Sequence, residues 1–261
     1  MATFERGAIT IHYVVEGSGP AITLIHGFAS SLRGNWRVPG IIDALSSGGR
    51  QVVALDCRGH GKSSKPHDPL SYAGTAMAED VISLLDHLAL AEVDLMGYSM
   101  GGWIAASLLT NHPERFRSVI LAGVGDGILA GGPSRARSEA IASALDAKDA
   151  SAASGATARA FRAFAEQQKN DLAALAALQR AARARVDPGK LGRVEKPVMI
   201  LLGEGDTLLG GADKLAAAIP GARYVKVPGD HLSAVMAPEF RRAVEAFLAE
   251  HSPVSGAREH P

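Results

Sequence analysis

The pentapeptide Gly97-Tyr98-Ser99-Met100-Gly101 limits what this chain can fold into more than any other stretch. Val93-Asp94-Leu95-Met96 precedes it, a short apolar run that predicts a buried strand. Gly102 to Leu109 follows, with helical spacing. A G-x-S-x-G between strand and helix is the context of a nucleophile elbow. The serine there sits on a tight turn with its Oγ raised above the sheet. Glycines at 97 and 101 let strand and helix cross where a Cβ would collide. The free N–H groups and positive dipole end of the helix face the serine, where negative charge would develop. Ser99 is therefore the candidate nucleophile; the alternative reading is a glycine-rich helix start.

A parallel sheet must surround such an elbow, and the chain supplies one. Runs at 8–15, 21–25, 51–55, 93–96, 118–122, 197–202 and 222–227 are apolar or alternating and predict strands. Helical stretches separate most of them, at 41–45, 75–88, 102–112 and 233–249. Alternating strands and helices predict an α/β fold, a mostly parallel central sheet with helices on both faces. From Gly127 to Pro188 the composition shifts to alanine, charge and helix formers, with three short amphipathic stretches. The expected division is a core of 1–126 and 189–250, a helical lid of 127–188, and a frayed tail of 251–261. With 261 residues, 47% hydrophobic and 21% charged, one domain with an insertion is sufficient.

A serine hydroxyl needs a base, and the base needs an orienting acid. In an open parallel sheet these come from loops at the carboxyl ends of strands. His12, His67, His87, His112, His251 and His260 fail that condition. His26 and His60 lie in glycine loops near the site. His231, in Pro228-Gly229-Asp230-His231, follows the last strand and is the expected base. Asp206, in Gly203-Glu204-Gly205-Asp206, is the expected acid, with Asp126 of Gly123-Val124-Gly125-Asp126 as the alternative. Glu204 and Asp230 rank lower; Asp230 adjoins the histidine itself, and sequence neighbours rarely face each other. The N–H of Met100 is one expected oxyanion donor, and that of Phe28, after Gly27, the other. Trp36, beyond the Gly27 loop, is a candidate pocket residue or simple packing. Phe161 and Phe164, the two aromatics of the insertion, are candidate pocket residues. Cys57 and Trp103 read as core, and the insertion's arginines as a solvated face.

These pieces together resemble the α/β-hydrolase fold family. The resemblance rests on His26-Gly27-Phe28, the stretch Asp56-Cys57-Arg58-Gly59-His60-Gly61-Lys62-Ser63, the elbow, Gly203 to Asp206 and Gly229-Asp230-His231, in family order from about residue 8 to 250. It is similar to the small lid-bearing esterases, lactonases and C–C hydrolases. It implies Ser99, Asp206 and His231 as a triad, Phe28 and Met100 as oxyanion donors, and no cofactor. The 56–63 stretch is implied to be a structural loop beside the site. Thr207-Leu208-Leu209-Gly210-Gly211 follows the acid where the family often has a proline.

The expected activity is cleavage of a small-molecule carboxylic ester or lactone through an acyl-enzyme. C–C hydrolysis or acyl transfer with the same triad, or a receptor with little turnover, are the alternatives. Zero formal net charge gives no electrostatic case for nucleic acid. No apolar run reaches a membrane span, and the first residues lack a secretory pattern, so a cytoplasmic protein is expected. No cluster has metal-ligand spacing, and no G-x-G-x-x-G follows the first strand.

Overall fold

The computed structural model describes residues 2–149 and 155–254. Eight strands form one sheet: β1 (Ala2–Arg6), β2 (Ile9–Glu16), β3 (Ala21–Ile25), β4 (Gln51–Leu55), β5 (Val93–Tyr98), β6 (Phe116–Ala122), β7 (Val198–Gly203) and β8 (Arg223–Val227). Their order is β1-β2-β4-β3-β5-β6-β7-β8. The first two pairings are antiparallel and the rest parallel. The sequence did not predict β1. It is a short edge strand whose exposed and half-buried residues alternate.

The period of two along each strand builds two cores. Ile22 and Leu24 of β3 and Ile120 of β6 face one side. There α1 (Ile41–Ser47) and α9 (Pro238–His251) cover them with Ile42, Leu45, Phe240 and Phe247. Ile25, Val119 and Leu121 face the other, under α2 (Ala76–His87) and α3 (Met100–Asn111). Strands β3 and β5 are neighbours, although the chain runs from β3 first to β4 on the opposite side. The crevice above them is the topological switch point, where open α/β sheets place their sites.

The insertion folds as α4 (Arg135–Asp146), α5 (Ala156–Gln167), α6 (Leu172–Arg180) and the single turn α7 (Pro188–Leu191). Asp171 caps α6, accepting from the Ala174 N–H at 3.0 Å. Residues 150–154 of the insertion and 255–261 of the expected tail lie outside the described residues. The tail's first residues are not frayed. His251 ends α9, and Ser252 is buried, with its carbonyl accepting from Arg50. The single helix expected over 233–249 is divided, because Pro238 cannot donate to a preceding carbonyl. A short turn over Ala234–Met236 precedes α9, and Pro238 is the first residue of that helix. Helix α8 (Asp213–Ala218) was not foreseen.

Candidate active site

Ser99 lies between β5 and α3 with φ 54° and ψ −111°. This is unusual for a residue with a Cβ. It is held by a bond from its own N–H to the Ala122 carbonyl (2.8 Å), and the Trp103 N–H closes the first helical turn on its carbonyl (3.1 Å). A Cβ on Gly97 would run into the Gly101 carbonyl, and one on Gly101 into the Ile25 carbonyl. The close crossing of strand and helix therefore depends on both glycines.

His231 and Asp206 come to Ser99 from the ends of β8 and β7. The Ser99 Oγ to His231 Nε2 distance is 2.9 Å, and His231 Nδ1 to Asp206 Oδ2 is 2.7 Å. A neutral imidazole that donates from Nδ1 to the carboxylate has a lone pair on Nε2. That lone pair can accept a hydrogen bond from the Ser99 hydroxyl. The phenol of Tyr98 donates to the His231 carbonyl (2.8 Å), fixing the loop. Burial, with the charges of Asp206 and Asp230, pushes Tyr98 up, so it stays a donor. Asp230 is taken up by its own turn, accepting from the Leu232 and Ser233 N–H groups (3.0 and 2.9 Å). Glu204 is exposed. The alternative acid Asp126 is committed elsewhere: it accepts from the Leu215 N–H (2.9 Å) inside α8. The acid that the fold brings to His231 is Asp206.

Phe28 lies on the loop after β3, and the N–H groups on either side of it are occupied. That of Gly27 donates to Asn35 Oδ1 (2.9 Å), that of Ala29 to His60 Nε2 (3.1 Å). His60 Nδ1–H donates to the Arg58 carbonyl (3.1 Å). His26 works alike, donating from Nδ1 to the Gly27 carbonyl (2.7 Å) and accepting the Cys57 N–H on Nε2 (3.0 Å). Both rings are therefore neutral. Burial, and then the neighbouring His26, brings His60 down to about 3, and burial also lowers His26. Asp56 anchors the 56–63 loop, accepting from His12 Nδ1–H (2.8 Å) and the Leu32 and Lys62 N–H groups (2.8 and 2.9 Å). The Cys57 thiol is buried and its pKa raised, chiefly by burial, which leaves it inert.

Above Ser99 opens a cavity of about 680 Å³, bordered by Phe28, Met100, Trp103, Ile104, Phe161 and His231 among others. A second of about 110 Å³ lies on the far side of Phe28 and Phe161, with Phe164 and Leu232 in its wall. Ser99 and His231 border both. Phe28 and Phe161 meet edge to face at 5.7 Å and form the partition. Two expectations are corrected. Trp36 is fully buried beneath the sheet in contact with Tyr98 and borders neither cavity, because its turn over Arg33–Arg37 aims it into the core. Trp103 is half-buried and forms cavity wall, because it faces the insertion rather than the sheet. The arginines of the insertion are not all solvated: Arg162 is buried and donates to the Ala144 and Ala147 carbonyls at the end of α4. Asn35, His26 and His60 were not singled out for the positioning that they do. Among the described residues no group of His, Cys, Asp or Glu is placed to hold a metal, and no helix is long and apolar enough to cross a membrane.

Comparison with known proteins agrees with this architecture. A family model described as the alpha/beta hydrolase fold matches residues 20–136. A hydrolase structure from Pseudomonas aeruginosa superposes with a TM-score of 0.78 at 28% identity, over 95% of this chain and 97% of that one. An enol-lactonase from Burkholderia xenovorans superposes at 0.79 and 26%, over 95% and 100%. Bifunctional epoxide hydrolase 2 of Rattus norvegicus is 36% identical over 114 residues, 44% of this chain but only 20% of that protein. The match thus spans a fifth of that curated relative's length. Residues 20–136 thus match the α/β-hydrolase fold family, and the chain as a whole adopts the fold of these hydrolase structures.

Proposed function

We propose that the protein is a serine hydrolase that cleaves a small carboxylic ester or lactone through an acyl-enzyme. The observation that carries this is the continuous chain from Ser99 Oγ to His231 to Asp206, at 2.9 and 2.7 Å, with the serine on a strained turn. His231 takes the hydroxyl proton as Ser99 attacks the carbonyl. Asp206 holds the tautomer and stabilises the imidazolium. The N–H groups of Phe28 and Met100 receive the oxyanion. Met100 is suited because it opens α3, where N–H groups have no acceptor four residues back. His231 then returns the proton to the leaving oxygen, and a water attacks the acyl-enzyme by the same route. The two cavities that meet at Ser99 receive the acyl and leaving portions, with α4–α6 as the lid.

Several relatives carry the name epoxide hydrolase. Serine chemistry favours the ester reading for this chain. Ring-opening of an epoxide by a serine oxygen gives an alkyl ether, which the oxyanion route cannot hydrolyse. Attack on an ester gives an acyl-enzyme, which it can.

The test is a fluorophosphonate label located by peptide mapping, run beside a p-nitrophenyl ester series. Label should fall on Ser99 alone. Ser99→Ala should lose labelling and about 10⁶ in kcat. Turnover surviving in Ser99→Ala, or label on Ser63, would overturn the mechanism.

A further inference from the structure

Arg183, in the wall of the large cavity, has no side-chain partner among the described residues. Arg183 borders that cavity together with Ser99 and His231. The residue is half-buried in the cavity wall. Burial pulls its pKa below the ordinary arginine value, and no charge or hydrogen-bond acceptor among the described residues pulls it back. Its neighbour Arg180 is different. That side chain is paired with Glu139 (3.1 Å) and Asp146 (2.6 Å). A half-buried, unpaired guanidinium in the wall of this cavity is free to pair with an anionic ligand.

The backbone at this position is fixed, which a binding residue requires. The Gly74 N–H donates to the Ala182 carbonyl (2.9 Å), and the Ala184 N–H donates to the Gly74 carbonyl (3.0 Å). Gly74 leads into α2, so the bridge ties Arg183 to the core. Arg135 and Arg185 at the exposed rim add to the positive potential. Among the described residues Glu139 is the only carboxylate that borders this cavity, and it is engaged by Arg180.

We propose that Arg183 binds a carboxylate on the substrate, so that the natural substrate is an ester or lactone whose acyl part ends in a carboxylate. The proposal rests on the hydrolase reading for the scissile bond and on Arg183 for the anion. One planar fork matches one planar monoanion bidentately. Met77, Ile104 and Met100 line the same cavity and offer apolar surface to the methylenes between carboxylate and ester.

The experiment compares two activated esters of equal length, p-nitrophenyl hexanoate and the p-nitrophenyl monoester of adipic acid, corrected for spontaneous hydrolysis. The wild type should favour the adipate monoester by about tenfold or more in kcat/KM. Arg183→Gln should lose that preference, mainly through KM, and leave hexanoate within about twofold. Arg183→Lys, which keeps the charge but not the fork, should fall between them; if Arg183→Gln fails to fold, this variant decides. Equal use of both esters by the wild type, or an equal loss on both in the variants, overturns the proposal. Calorimetric titration with adipate, against neutral adipamide, gives a readout without turnover. Adipate binding that Arg183→Gln weakens about tenfold supports the anion site even if neither ester is cleaved, in which case the hydrolase reading alone fails. No adipate binding, or inorganic phosphate bound more tightly than adipate, overturns the carboxylate assignment.

Discussion

His60 holds the loop of Phe28 only while its ring is neutral, because its Nε2 must accept the Ala29 N–H. The folded ring titrates at about 3, against about 6.5 in an unfolded chain. Below pH 6.5 the unfolded chain binds a proton that the folded one refuses. The stabilisation is therefore complete above about pH 6.5 and is lost as the pH falls toward the folded value. Urea unfolding at pH 7, 6 and 5 should show stability falling, with His60 contributing at most about 1.4 kcal/mol per pH unit. His60→Gln should flatten the slope, and an unchanged slope would show that other groups dominate. At the neighbouring acid, Asp206→Asn should cost about 10⁴ in kcat with the fold intact, by loss of the orienting carboxylate. Asp126→Asn should leave kcat near wild type and touch only the α8 bond. Near wild-type kcat in Asp206→Asn would refute the acid assignment. Ser99, Asp206 and His231 are legible in the sequence because each lies in a strand-end loop with its own local pattern. The roles of His26 and His60 are not, because each bonds an N–H 31 residues away in the chain.

Among the elements, the insertion reaches down to the loop that carries Phe28. Asn170, between α5 and α6, donates from Nδ2 to the Ala29 carbonyl at 2.7 Å. His67 of the core lies 3.0 Å from Asp171, the residue that caps α6. The insertion and the loop of Phe28 are therefore joined by hydrogen bonds. Asn170→Ala should lower kcat about tenfold, less than the 10² to 10³ for an oxyanion donor removed outright. The acyl-chain preference should be unchanged, and a loss confined to KM would instead assign Asn170 to substrate binding. Helical spacing made α2, α3 and the three insertion helices readable. It fails where an element is too short to show a period. Helix α8 has six residues, and the turn over Arg33–Arg37 has five, so neither leaves a pattern. That turn is what sends Trp36 into the core instead of the cleft. Strand β1 carries Phe4 between Thr3 and Glu5 and is defined by its pairing with β2, which only the fold supplies.

At the scale of the whole molecule, chemistry and cohesion occupy opposite ends of the sheet. Ser99, His231 and Asp206 follow the carboxyl ends of β5, β8 and β7. Near the amino ends a buried charge cluster joins four strands to the last helix. Asp94 of β5 is fully buried and accepts from Arg50 (3.3 Å), Arg117 (3.0 Å) and the Ser118 hydroxyl (2.9 Å). Arg117 also donates to the Glu92 and Ala21 carbonyls (2.7 and 2.6 Å). Arg50 donates to the carbonyls of Leu248 (2.9 Å) and Ser252, at the C-terminus of α9 where the helix dipole is negative. Removing the carboxylate leaves Arg50 enclosed with neutral acceptors, the Leu248 and Ser252 carbonyls and the Ser252 hydroxyl. Asp94→Ala should therefore destabilise by about 3–5 kcal/mol, as for a broken buried pair. In a chain of this size that is on the order of a 10 °C fall in Tm by calorimetry. Since no part of the cluster touches the cleft, kcat and KM measured well below the new Tm should match the wild type. Arg117→Ala, at a partly exposed partner, should cost about 1 kcal/mol and shows the same separation if Asp94→Ala does not fold. A collapse of kcat with Tm unmoved would mean that the two ends of the sheet are coupled, and the division between a stabilising end and a reactive end would fall.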